Sequence, residues 1–228
     1  MPQFAIEAPP VVALPIATNS ALFPVRRVYC IGRNYAAHAI EMGHDPDREP
    51  PFFFQKNPNN LTSSGIFPYP PQSEDVHHEV EVAVMLESGG TDIAVGDALD
   101  HVFGYALSLD MTRRDLQGVQ KKMGRPWEIG KAFEHSAPTG PIHPVSEVGH
   151  LDKGRIALTV NDEVRQEGDM NQMIWKVPEI IAYLSEYFEL AAGDVILSGT
   201  PAGVGPVQRG DKMIAEAEGL GSMTVSVA

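Results

Sequence analysis

The amino-acid sequence predicts an α+β protein in which strands predominate. Nineteen prolines and 21 glycines cut the chain into short apolar runs, a spacing that suits strands joined by irregular connections. Segments with helical periodicity are few and scattered, so they do not alternate with strands as a doubly wound parallel sheet requires. No internal repeat or low-complexity tract interrupts this pattern.

Residues 28–32 read as a short strand that runs into a helix over about 34–42, with Asn34 placed as its N-cap and Gly43 as its stop. Phe52 to Phe54 form another apolar run. Residues 77–86 alternate, with Val80, Val82, Val84 and Leu86 on one face and Glu79, Glu81, Ala83 and Met85 on the other. A second strand over 102–109 ends at Asp110-Met111-Thr112. A helix over 113–123 follows, with Leu116, Val119 and Met123 as its expected buried stripe. Residues 156–160 and 163–166 flank the polar pair Asn161-Asp162 as a hairpin. The clearest amphipathic helix spans 178–190, opened by Pro178, with Ile180, Ile181, Leu184, Tyr187 and Phe188 as its apolar face. Residues 195–197 and 223–227 are late strands.

A chain of 228 residues, 43% of them hydrophobic, supports one sizeable core. Its formal charge of -13 is dispersed. That balance excludes nucleic-acid binding, which needs clustered Lys and Arg to neutralise phosphates. An acidic substrate would require local positive charge from a metal or from a few placed cations. Cys30 is the single cysteine, so no intrachain disulfide forms and a reducing compartment is expected. The first 24 residues are mildly apolar but broken by Pro9, Pro10, Pro15 and Pro24, and no Lys or Arg precedes Arg26. They lack a signal peptide's basic n-region, and no run approaches the roughly 20 apolar residues of a membrane span. A cytoplasmic protein with no membrane partner is expected.

Glu79 and Glu81 stand two apart on a predicted strand, so both leave the same face about 7 Å apart. Two carboxylates beside a valine wall repel, and either a proton or a cation must relieve them. Asp110, at the end of the next strand, would complete a hard oxygen site suited to Mg²⁺ or Mn²⁺. Two other readings fit these residues: a solvated outer face, or a zinc or iron site that includes His77. His78 points to the opposite face from His77 and cannot join it.

The motifs taken together resemble the fumarylacetoacetate hydrolase family. They are Ile31-Gly32-Arg33-Asn34-Tyr35 with His38 and Glu41, His78-Glu79-x-Glu81, and Leu109-Asp110-Met111-Thr112-x-Arg114-Asp115. Gly130-Lys131-Ala132-Phe133, Asn161-x-Glu163-x-Arg165-Gln166, Ser198-Gly199-Thr200-Pro201-x-Gly203-Val204-Gly205 and Gly221-Ser222-Met223 extend the match in order. The chain is similar to the short form, which includes acylpyruvate hydrolases such as fumarylpyruvate hydrolase. The resemblance implies a mixed-sheet β-roll over residues 25–228 as one catalytic domain, with residues 1–24 an extension packed on it. It implies a homodimer, and one Mg²⁺ or Mn²⁺ per subunit on Glu79, Glu81 and Asp110. The family pattern often sets a lysine directly before proline, whereas this chain reads Gln55-Lys56-Asn57-Pro58. Lys131 is therefore the firmer expected substrate contact.

The implied substrate is a small 2,4-diketo acid, cleaved between carbons to pyruvate and a carboxylic acid. His38 and Glu41 are three apart on the predicted helix, so Glu41 can orient His38 as general base for water. Lys131 is expected to neutralise developing negative charge. Arg114 and Gln117 share a helix face behind Asp110, and with Arg33 and Thr200 they are the expected substrate contacts. The segment 199–205 lacks the G-x-G-x-x-G order and a following helix, which excludes a nucleotide loop. Oxaloacetate decarboxylation and keto–enol tautomerisation use the same chelated 2-keto acid and remain alternatives. A non-catalytic domain binding a metal or carboxylate is the alternative of another class.

Overall fold

The computed structural model describes residues 4–35 and 50–228. The sequence-predicted helix beyond Tyr35, with His38 and Glu41, lies outside them. Among the described residues the main elements are strands β1 (Arg27–Gly32), β2 (Phe52–Lys56), β3 (Val76–His78), β4 (Val80–Leu86), β5 (Val102–Leu109) and β6 (Thr112–Arg113). Helix α1 (Arg114–Met123) follows, then β7 (Arg155–Val160), β8 (Glu163–Asp169), α2 (Val177–Tyr187), β9 (Asp194–Leu197), β10 (Gly205–Val207), β11 (Lys212–Ala217) and β12 (Gly221–Val227).

The strands form mixed sheets, and helices are few, as the sequence predicts. One six-stranded sheet runs His143–Pro144, β5, β4, β9, β1, β2. Its β9–β1 pair is parallel and its other pairs are antiparallel. A five-stranded sheet runs β8, β7, β11, β12, Ile66–Phe67. The β7–β8 hairpin turns at Asn161 and Asp162, both with positive φ (49° and 68°), as a two-residue turn matched to strand twist requires. The main core joins the two sheets: Val80, Val82, Val84 and Leu86 from one meet Ile156, Leu158, Met213 and Val225 from the other. Helix α2 adds Ile180, Ile181 and Leu184 to this core.

The other face of the six-stranded sheet is buried as well. Ala83 and Met85 belong to a second cluster with Val28, Cys30 and Leu197. It is covered by Leu14 and Phe23 of a small hairpin, Ala13–Pro15 with Leu22–Pro24. Every residue of β4 is therefore buried, and the alternation of that strand separates two cores and not core from water. No helix among the described residues is long and apolar enough to cross a membrane.

Two sequence expectations are corrected. Val119 and Met123 of α1 are 48% and 58% exposed, while the buried residue of that helix is Gln117. The helix turns its polar face inward because that face closes a charged site. Tyr187 is exposed at 58%, since α2 ends there and only its earlier turns meet the core. Asn34 is fully buried. Its amide donates to the Trp175 and Ser198 carbonyls at 2.9 and 2.8 Å and accepts from Trp175 N–H at 2.8 Å, which stitches the end of β1 to two distant loops.

Leu158 is fully buried at the centre of β7. We expect Leu158→Ala to lower unfolding free energy by about 2–5 kcal/mol through lost burial and a residual cavity, read from urea unfolding.

Candidate active site

The site forms where a long antiparallel ribbon changes sheets. In β4–β5, Val80 faces Leu109 and Glu81 faces Ser108. In β3–β6, His77 faces Thr112 and Val76 faces Arg113. One register thus runs through both pairs, and it sets Glu79 opposite Asp110, where the Asp110 N–H donates to the Glu79 carbonyl at 2.8 Å. Both residues sit at the break between the six-stranded sheet and the three-stranded sheet β6–β3–β10. The predicted continuous strand over 77–86 is interrupted at Glu79 for this reason, and two carboxylates meet at the corner.

Glu81 joins them. One carboxylate oxygen from each of Glu79, Glu81 and Asp110 lies within 4.8 Å of the others, and all three residues are at most 5% exposed. The reading of Glu79 and Glu81 as a solvated face is thereby excluded. Burial, with the neighbouring Asp110 and Glu79 charges, pushes the Glu81 carboxyl well above its ordinary pKa. Gly199 N–H relieves part of that cost by donating to Glu81 Oε2 at 2.8 Å. Its φ of +98°, and a distance of 2.7 Å from a built Cβ to the Asn34 Cβ, mean that only glycine brings the backbone so close.

Three cationic side chains answer the three carboxylates. Lys131 Nζ donates to Glu79 Oε2 at 2.8 Å and Asp110 Oδ2 at 2.7 Å. Its burial disfavours the ammonium, but Asp110 and Glu79 outweigh that and hold its pKa above the ordinary value. Arg114 pairs with Glu79 Oε1 and donates to Gln117 Oε1 at 2.7 Å. Lys56 sits behind Asp110, 2.9 Å from Oδ1, and donates to the Ser136 hydroxyl at 2.9 Å and to the Lys131 carbonyl. The Asp110 Oδ1 atom is buried yet makes no hydrogen bond of acceptable geometry among the described residues. Three buried carboxylates, each offering a hard oxygen within 4.8 Å of the others, fit a divalent cation.

His77 does not join this group. Its Nε2 lies 2.8 Å from Asp75 Oδ1, so the zinc or iron alternative finds no support. His78 turns away to Gln166, with Nδ1 2.9 Å from Oε1.

One cavity gathers Glu79, Glu81, Asp110, Lys131, Arg114 and Gln117, and also Arg33 and Thr200. Eight of the ten sequence-predicted site residues thus share one space, and the other two, His38 and Glu41, lie outside the described residues. Lys56 is not on the cavity wall. Ile31 and Gly32 also line it, as do Phe52, Phe54, Trp127 and Lys121, and these last four went unrecognised in the sequence. The Phe52 and Trp127 rings meet edge-on at 4.9 Å, with the Arg33 guanidinium 5.6 Å from the Phe52 centroid. Lys121 shows how positive this wall is: burial, then Arg33 and Arg114, lower its pKa. Only the aromatic content of 52–54 hinted at the wall, since its members come from separate loops and strands.

The comparisons with known proteins agree with this geometry. Residues 27–228 match the family described as fumarylacetoacetate (FAA) hydrolase C-terminal. A solved structure of fumarylpyruvate hydrolase from Pseudomonas aeruginosa, in complex with Mn²⁺ and pyruvate, is 49% identical with a TM-score of 0.97, covering 99% of each chain. The mitochondrial oxaloacetate tautomerase of Oryza sativa is 41% identical over 207 residues, 90% of this chain and 92% of the relative. The mitochondrial oxaloacetate decarboxylase of Dictyostelium discoideum is 40% identical over 187 residues, 81% of this chain and 85% of the relative. An α+β chain of mixed sheets, with this carboxylate corner and this match over 27–228, belongs to the fumarylacetoacetate hydrolase family.

Proposed function

We propose that the protein is a divalent-metal-dependent hydrolase of 2,4-diketo acids of the acylpyruvate type, fumarylpyruvate among them. The charge arrangement carries this reading. Three carboxylates face Lys56, Lys131 and Arg114, so a bound divalent ion leaves the site with two net positive charges. Arg33 and Lys121 on the wall add to that field. A dianionic oxo acid answers it. The choice of hydrolysis rests on the 49% identity to a fumarylpyruvate hydrolase over nearly the whole of both chains. The resident ion is Mg²⁺ or Mn²⁺, in keeping with oxygen-only ligands.

Glu79, Glu81 and Asp110 hold the ion, which supplies Lewis-acid polarisation of the 2-keto oxygen and offsets charge that develops there. His38, oriented by Glu41, takes a proton from water as the oxygen adds to the C4 carbonyl. The C3–C4 bond then breaks, its electron pair passes to C3 as pyruvate enolate, and protonation at C3 gives pyruvate. The C4 fragment leaves as a carboxylic acid. Lys131, with the carboxylates of Glu79 and Asp110 fixing its ammonium, neutralises negative charge on the reacting oxygens. Arg33, Arg114, Gln117 and Thr200 hold the substrate's polar groups, and the Phe52–Trp127 wall keeps water from its carbon chain.

Oxaloacetate tautomerisation or decarboxylation is the second reading, favoured by relatives with those names at 40–41% identity. Both reactions use the same 2-keto acid end. Only hydrolysis needs an activated water, so the two readings part at His38.

The deciding assay follows the ultraviolet absorbance of fumarylpyruvate and acetylpyruvate with and without Mg²⁺ or Mn²⁺. We expect metal-dependent loss with release of pyruvate, and loss of that activity in Glu81→Ala. Inert diketo acids, with turnover of oxaloacetate by the same samples, would assign the second reading. His38→Ala is expected to slow hydrolysis by about 10²–10⁴-fold while the Mn²⁺-induced rise in melting temperature persists. Unchanged hydrolysis would remove His38 as the base.

A further inference from the structure

Gln166 is 1% exposed and lies one step behind the cavity wall, on β8. We propose that Gln166 is a positioning residue that makes the Thr200 hydroxyl present its hydrogen to the cavity, where it binds an acceptor oxygen at the 2-keto acid end of the substrate. This rests on reading the site as one for an acidic oxo acid, and not on which reaction follows.

The polarity is set by main-chain groups that cannot exchange roles. Val80 N–H donates to Gln166 Oε1 at 3.0 Å, and the Pro201 carbonyl accepts from Nε2 at 2.8 Å. A flipped amide would set N–H against N–H at one end and oxygen against oxygen at the other, both buried, so one orientation alone is satisfied. The second acceptor position of Oε1 takes His78 Nδ1 at 2.9 Å, which assigns the His78 proton to that nitrogen. The remaining Nε2 hydrogen goes to Thr200 Oγ1 at 2.8 Å. Thr200 is thereby an acceptor on its inner side, and its own hydrogen must be donated elsewhere. Among the described residues no protein group accepts it, and Thr200 lines the cavity. The preceding Gly199 N–H donates to Glu81, and Thr200 lines the same cavity as Glu79, Glu81 and Asp110. The chain of fixed polarity runs from a backbone amide of β4, through a side-chain amide of β8, to a hydroxyl after β9.

Calorimetric titration of pyruvate into the Mn²⁺-loaded protein tests this in wild type, Gln166→Met, Thr200→Val and the double variant. Each single change is expected to weaken binding about tenfold, corresponding to about 1.4 kcal/mol, with Mn²⁺ affinity unchanged. The double variant is expected to bind no more weakly than Thr200→Val, because Gln166 acts through that hydroxyl. Multiplied losses in the double variant, or full affinity in Gln166→Met, would overturn the proposal. Should Gln166→Met lose its native circular dichroism, Thr200→Ser and Thr200→Val decide alone. Serine is expected to keep wild-type affinity and valine to lose it, and equal affinities would overturn the assignment. Wild type that binds no pyruvate overturns it too. An intact cycle in a protein inert toward every acylpyruvate supports it and overturns only the choice of reaction.

Discussion

Three carboxylates buried within contact of one another are what the surrounding structure has to accommodate. Charges removed from water cost several kcal/mol each unless paired, and removing one partner from a buried pair costs about 3–5 kcal/mol. Glu79, Glu81 and Asp110 meet that demand through Lys131, Arg114 and Lys56, and through the Gly199 N–H. The requirement reaches outward. It accounts for the polar inner face of α1, for a buried lysine behind Asp110, and for a positive-φ glycine at the end of β9.

The corner also shows how a β-rich fold makes an active site without a long loop. A single antiparallel register carries the ribbon from one sheet into another, and the two residues at the fold line face each other. Strands on either side fix the carboxylates on rigid backbone, and β4 is buried on both faces by separate cores. Other polar groups of the cavity wall come from α1, the 130s segment and the end of β9, and Arg114, Lys131 and the Gly199 N–H tie those elements to the carboxylates. Relatives similar over most of this chain carry the names hydrolase, tautomerase and decarboxylase.

The division of labour among the cations follows from burial. Lys56 is enclosed beside Asp110 and the Ser136 hydroxyl, so it compensates charge without facing substrate. Lys131 and Arg114 touch the carboxylates and the cavity at once. Arg33, held with φ of 59° beside Phe52, stands on the same cavity wall.

Local sequence determined a good deal of this protein. Period-two alternation located β4, the Asn161-Asp162 pair located the hairpin, the order of family motifs named the carboxylates, Lys131, Arg114, Arg33 and Thr200 as one group, and helical spacing from Arg114 added Gln117. Those signals are local because strand periodicity, turn conformation and motif spacing are properties of neighbouring residues. Tertiary structure alone decided the rest. Whether the second face of β4 met water or a core depended on a hairpin some 60 residues earlier, and whether Val119 and Met123 were buried depended on where α1 docks. The role of Lys56, the Phe52–Trp127 wall and the Gln166–Thr200 chain join residues far apart in sequence. Their meaning is a matter of which group a donor or charge finally faces, and no local pattern carries that information.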